Sequence, residues 1–153
     1  MTKALIFGTF DKLHKGHVYF IRKADKITDE IICEIAKKNS KNNEDDSTEK
    51  DEAELYIVVA RDENVEKIKG KKPIDNEMTR LMNVYMLGLA RKVMLGDYED
   101  FFFALKEVKP DIICLGYDQD DRGLEKYIKE NKLKIKIIRI DAFEPDKYKS
   151  SKL

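Results

Sequence analysis

His14 and His17 are the only two histidines of this 153-residue chain, and both follow directly on Gly8-Thr9-Phe10-Asp11. An imidazole can donate a hydrogen bond to an oxyanion and carry charge near neutral pH, so two at one turn suit a phosphate-rich ligand. Histidines at i, i+3 can also cap a helix, pack against it, or supply half of a metal site. There is no third histidine and no cysteine near them, so the protein is not expected to hold a metal ion by itself. The surroundings favour phosphate. Ala4-Leu5-Ile6-Phe7 is an apolar run long enough for a buried strand, Gly8 ends it, and a helical pattern begins at Gly16 or His17. A strand that turns into a helix N-terminus offers backbone N–H groups and the positive end of a dipole to an anion.

Other residues could serve the same ligand. Lys23 lies with Arg22 and Lys26 in the first turns of that helix and is a candidate for charge stabilisation; a solvated basic face is the other reading. Arg80 departs from the apolar stripe of its helix, and a guanidinium can fork onto two phosphate oxygens. Gly116, Asp118 and Gln119 follow another buried strand. Asp11, Arg61, Lys71, Lys72 and Lys152 are candidates for the phosphates or for an acceptor, with Asp11 equally able to close its turn.

The elements that must position these groups alternate along the chain. A first helix carries Phe20, Ile21, Ala24 and Ile27 on one stripe. It either runs on to about Lys38 or yields to a second helix capped by Thr28-Asp29. From Lys37 to Ala53 there is no large apolar residue, which predicts a disordered polar insertion. Leu55–Ala60 reads as the second strand. A helix opened by Pro73-Ile74-Asp75 has Met78, Leu81, Met82, Tyr85, Met86 and Leu89 as its core stripe, with the methionines as filler. Val93–Gly96 is the third strand and a helix follows from Asp97. Asp111–Gly116 is the fourth, a helix through Leu124, Tyr127 and Ile128 follows, and Ile135–Ile140 is an edge strand. This rhythm predicts an α/β fold: a Rossmann-like, doubly wound sheet of five parallel strands in a single domain. Ligands of such sheets bind beyond the carboxyl ends of the strands, where Gly8–His17, Arg61-Asp62 and Tyr117–Gln119 all fall.

Composition narrows the classes. The chain has 30 basic and 30 acidic side chains, so neither a nucleic-acid nor a membrane surface is expected. Cys33 and Cys114 sit far apart in apolar runs and read as buried thiols of a reducing compartment. Met1-Thr2-Lys3 leads straight into a strand with no leader or span, which predicts a cytoplasmic protein. No Gly-x-Gly-x-x-Gly follows the first strand, against a nicotinamide-dinucleotide enzyme.

Gly8-Thr9-Phe10-Asp11, Leu13 and His14-Lys15-Gly16-His17 resemble the signature of the cytidylyltransferase-like nucleotidyltransferases, and the H-x-G-H element of class I aminoacyl-tRNA synthetases. Within the first group, four further segments resemble archaeal FAD synthases: Val59-Ala60-Arg61-Asp62-Glu63-Asn64-Val65, Lys69-Gly70-Lys71-Lys72-Pro73, Lys109 to Gln119, and the Lys-Ser-Ser-Lys tail. The polar insertion has no counterpart in that pattern. The resemblance implies transfer of AMP from ATP to FMN, giving FAD and pyrophosphate, with Mg²⁺ held mainly by the nucleotide phosphates. It implies ATP-phosphate contacts at Thr9, Phe10, His14 and His17, a nucleotide contact at Asp118, and a lid from Ser150, Ser151 and Lys152. By family analogy alone it also implies a homodimer. Three alternatives stay open. A glycerol-3-phosphate cytidylyltransferase would use CTP, but its Arg-Thr-x-Gly-x-Ser-Thr-Thr tail is absent. A pantetheine-phosphate adenylyltransferase lacks the middle motifs. A nucleotide-binding domain without catalysis would not require both histidines.

Overall fold

The computed structural model describes residues 2–40 and 53–141. Five parallel strands form one sheet in the order β3-β2-β1-β4-β5. They are β1 (Thr2–Gly8), β2 (Ala53–Val59), β3 (Lys92–Leu95), β4 (Ile112–Gly116) and β5 (Lys136–Ile140). The chain winds outward from β1 to β3, then returns across it to β4, so the winding direction reverses between β1 and β4.

Strand alternation divides the core into two layers. Ala4 and Ile6 of β1, Leu55, Ile57 and Val59 of β2, and Ile112 and Cys114 of β4 face one cluster, with Ile21 and Ala24 of helix α1 (Lys15–Ser40) and Val84 of α3 (Glu77–Tyr85). Leu5, Phe7, Val58, Ile113 and Leu115 face the other, with Ala104, Leu105 and Val108 of α4 (Phe103–Val108) and Leu124 of α5 (Leu124–Glu130). A strand buried on both faces reads as a continuous apolar run, as β1 and β4 do. Helix α2 (Asp62–Lys69) ends at Gly70, whose left-handed φ of 78° suits a residue without Cβ.

Of the two readings of the first helix the continuous one holds: α1 runs over 26 residues, and the Thr28 hydroxyl donates to Ala24 O at 2.7 Å within it instead of capping a new helix. Other expectations change. The two ends of the polar insertion belong to regular elements, Ser40 to α1 and Ala53 to β2, and the residues between them lie outside the described residues. Helix α3 starts at Glu77, capped by Asn76, and turns its methionine stripe outward. Met78, Met82, Tyr85 and Met86 are exposed, while Arg80 and Val84 face inward. Cys33 is exposed, and only Cys114 is buried, its thiol pushed up to about 12 by burial. No helix among the described residues is long and apolar enough to cross a membrane.

Candidate active site

A cleft of about 1030 Å³ lies over the carboxyl ends of the strands. Its floor is the reversal point of the sheet. Strands β1 and β4 pair only as far as Ile6 and Cys114 and then separate. Gln119 spans the gap, its Nε2 donating to Phe7 O and its Oε1 accepting from Gly116 N–H, both at 3.1 Å. Arg139 donates to Gly116 O at 2.8 Å and to Gln119 O, which fixes the turn that presents Tyr117 and Asp118 to the cleft. Gln119 therefore lines the site but uses both ends of its amide on the backbone.

On the other side of the gap, Gly8 is required because an added Cβ would come within 2.6 Å of the Phe10 ring. Phe10 and Lys12 take left-handed φ values of 54° and 46°, a rare conformation for residues with side chains and one that tends to persist where a loop is functionally constrained. The loop delivers both histidines to the start of α1. Their rings stack with centroids 3.9 Å apart, and His17 meets Phe10 edge-on at 5.7 Å. Gly16 is required too, since a Cβ there would approach the His14 ring to 2.8 Å.

Hydrogen bonding assigns the tautomers. His17 Nδ1 accepts the N–H of His14 at 3.2 Å, and His14 Nδ1 accepts the N–H of Gly16 at 3.0 Å. Each neutral ring must then carry its proton on Nε2, leaving two Nε2–H donors. Burial and the neighbouring His14, against the pull of Asp11, push the His17 imidazole down to about 4. His17 is thus a neutral donor at physiological pH, where the sequence suggested a charged one.

Arg80 is the largest departure from expectation. Its side chain is 0% exposed and does not line the cleft. Nε donates to Asp75 O at 3.0 Å, Nη1 to Thr9 O and Ala60 O at 2.8 Å each, and Nη2 to Asp62 Oδ1 at 2.6 Å. The guanidinium thus ties the Thr9 loop to the end of β2 and the entrance of α3. Asp11 tightens the same junction. Its carboxylate accepts the N–H groups of Ile74 at 2.8 Å and Asp75 at 2.9 Å. Burial alone would raise its pKa, but those two bonds and the Arg80 charge hold the carboxyl below its usual range. Asp11 thus ties its own loop to the segment that leads into α3, a long-range contact the sequence did not suggest. Arg61 is also engaged, with Gly96 O at 2.8 Å, Glu77 at 2.9 Å and the Tyr98 hydroxyl at 3.1 Å.

Of the remaining candidates, Gly8, Thr9, Phe10, Asp11, His14, Gly16, His17, Gly116, Asp118 and Gln119 all line the one cleft. Lys23 does not line the cleft but lies with Lys15, Arg22 and Lys26 along an adjoining groove on α1, which shares His14 and Tyr19 with it. Lys71 and Lys72 are exposed beyond Gly70 and do not line the cleft. Ser150, Ser151 and Lys152 lie outside the described residues. Sequence reasoning did not single out Asn64, Lys69, Tyr98 and Phe103, which line the cleft from α2, from the stretch between β3 and α4 and from the start of α4. Asn64 and Lys69 carried a signal, each lying in a segment that resembles the FAD synthases; Tyr98 and Phe103 carried none. Among the described residues no group of three His, Cys, Asp or Glu side chains could hold a metal ion.

Comparison with known proteins agrees with this geometry. Residues 5–153 match the cytidylyltransferase-like family. The FAD synthase of Methanococcoides burtonii is 40% identical over 143 residues, covering 92% of this chain and 82% of that protein. The FAD synthase of Methanocella paludicola is 33% identical over 154 residues, covering 99% and 92%. Among solved structures, the lipopolysaccharide core biosynthesis protein of Thermoplasma volcanium superposes with a TM-score of 0.71 at 32% identity, covering 94% of this chain and 99% of that one. The chain belongs to the cytidylyltransferase-like family, alongside the archaeal FAD synthases.

Proposed function

We propose that the protein transfers AMP from ATP to FMN, releasing pyrophosphate and forming FAD. The observation that carries nucleotidyl transfer is the stacked His14–His17 pair, with two Nε2–H donors beside the Gly8–Phe10 loop. The FAD synthases of 40% and 33% identity supply the donor and the acceptor.

In this reading a phosphate oxygen of FMN attacks the α-phosphorus of ATP in line, the bond to the bridging oxygen breaks, and pyrophosphate departs. The enzyme forms no covalent bond. It holds the two substrates in line and stabilises charge that grows on the phosphoryl oxygens. The neutral imidazole of His17 serves this well, because a donor fixed before the reaction needs no reorganisation as charge develops. The Thr9–Phe10 backbone adds N–H groups beside them, held in place by Arg80. Gly116 and Asp118 take the nucleoside on the β4 side. A Mg²⁺ ion brought in with the triphosphate would supply charge neutralisation for the leaving pyrophosphate. By family analogy, the reading extends to a cytoplasmic homodimer, and the balanced charge of the chain supports the absence of nucleic-acid and membrane partners.

Pyrophosphate release tests the reading, with Mg²⁺ and ATP or CTP, each paired with FMN or glycerol 3-phosphate. Release with ATP and FMN alone is expected. Release with CTP and glycerol 3-phosphate would replace it by the cytidylyltransferase reaction.

A further inference from the structure

The cleft has two unlike walls. The side formed by the Gly8–His17 loop and the β4 turn is rich in glycine and polar groups. The side formed by α2, the stretch between β3 and α4 and the start of α4 carries Asn64, Lys69, Asp97 and Glu99 but also large apolar side chains, and it leaves rings open to the cleft. Tyr98 is 49% exposed, Phe103 42% and Ile68 57%. Exposed aromatic surface inside a concave site is surface that a ligand covers.

Tyr98 is held for that role. The Arg61 guanidinium lies 4.2 Å from the centre of its ring and donates to its hydroxyl at 3.1 Å. Arg61 is itself fixed by Gly96 O and Glu77. The stretch that carries Tyr98 is equally set, because Asp97 Oδ2 accepts the N–H groups of Glu99 at 3.0 Å and Asp100 at 2.8 Å. A ring with one face backed by a cation and its position fixed loses little freedom when a planar ligand stacks on it. Lys69 lines the same wall next to Ile68, and its charge reaches His17. The wall therefore pairs an aromatic platform with a cation toward the reacting phosphates.

We propose that Tyr98, backed by Arg61 and flanked by Phe103 and Ile68, is the platform on which the flat three-ring head of the acceptor stacks, with Lys69 receiving its phosphate. This rests on the FMN reading above and deepens it, because it makes the β3–α4 stretch the part of the chain that selects a flavin over a small aliphatic phosphate. Stacking on one aromatic side chain makes binding about 10- to 100-fold tighter.

The test is equilibrium binding of FMN, followed by quenching of its fluorescence in the presence of Mg²⁺ and a non-hydrolysable ATP analogue. Tyr98→Ala should weaken FMN binding about tenfold or more, and Tyr98→Phe, which keeps the ring, should restore it. Thermal melts of both variants verify the fold. Wild-type affinity in Tyr98→Ala, or absence of FMN binding to the wild type, would overturn the proposal. FAD formation is assayed in parallel. FAD made at wild-type FMN affinity by Tyr98→Ala would sink the platform and leave the reaction standing. FMN binding that depends on Tyr98 without FAD formation would keep the platform and sink the reaction.

Discussion

His17 provides the sharpest physical test of the site, because its protonation state follows from geometry. Its Nδ1 is committed to the His14 N–H and the ring is held at about 4, against an ordinary value of 6.5. The unfolded chain therefore takes up a proton near pH 6.5 that the folded chain refuses until about 4, so stability is full above that range and falls as the pH drops through it. Between about pH 7 and about pH 5, two protonation equilibria displaced by that amount differ by at most about 2 kcal/mol. The perturbation is His17→Asn. Its Oδ1 can take the place of Nδ1 on the His14 N–H, but it neither titrates nor supplies an Nε2–H. Urea unfolding at the two pH values, wild type against variant, subtracts the carboxylates common to both. The wild type should lose up to about 2 kcal/mol more than the variant on acidification. The imidazole resonances of His17 should titrate near 4 by NMR. Turnover of the variant at neutral pH should fall by about 10²- to 10³-fold, as for loss of one oxyanion donor. Equal pH dependence in the two proteins, or a His17 midpoint near 6.5, would refute the neutral-donor assignment.

Three further outcomes follow from the same contacts. Arg80→Met should cost about 3 kcal/mol in urea unfolding, since it strands Asp62 and three carbonyls. Arg80→Lys should recover only part of that, because one ammonium cannot reproduce the fork. Gly16→Ala should leave the melting temperature nearly unchanged yet cut turnover at least about tenfold, as the new Cβ displaces the His14 ring. A thiol reagent should label Cys33 in the native protein and reach Cys114 only after denaturation, a difference read directly by mass spectrometry.

Much of this molecule was legible in its sequence for plain reasons. Ile6, Ile57 and Ile113 lie in apolar runs of strand length, and turn residues separate the runs, so the parallel sheet could be read from pattern alone. The Gly8–His17 loop was legible because two glycines and two histidines share one short strand-to-helix turn. The clamp was not. In α3 the methionines mimic a core stripe, and Arg80 was read as a phosphate ligand because only the folded chain brings Thr9 O, Ala60 O and Asp62 to it. The Arg61–Tyr98 pair was hidden for the same reason, since its members meet across 37 positions of chain. The length of α1 turned on one hydroxyl, Thr28, whose capping and back-bonding roles look alike in sequence.

Nucleotidyl transfer at this cleft is most directly tested by following the label of ATP carrying ³²P at the α-position, incubated with the protein, Mg²⁺ and FMN. The account predicts that the label appears in FAD, one for each pyrophosphate released, and that omitting FMN stops both. Label that remains in ATP, or that leaves as free AMP or ADP whether or not FMN is present, would contradict it.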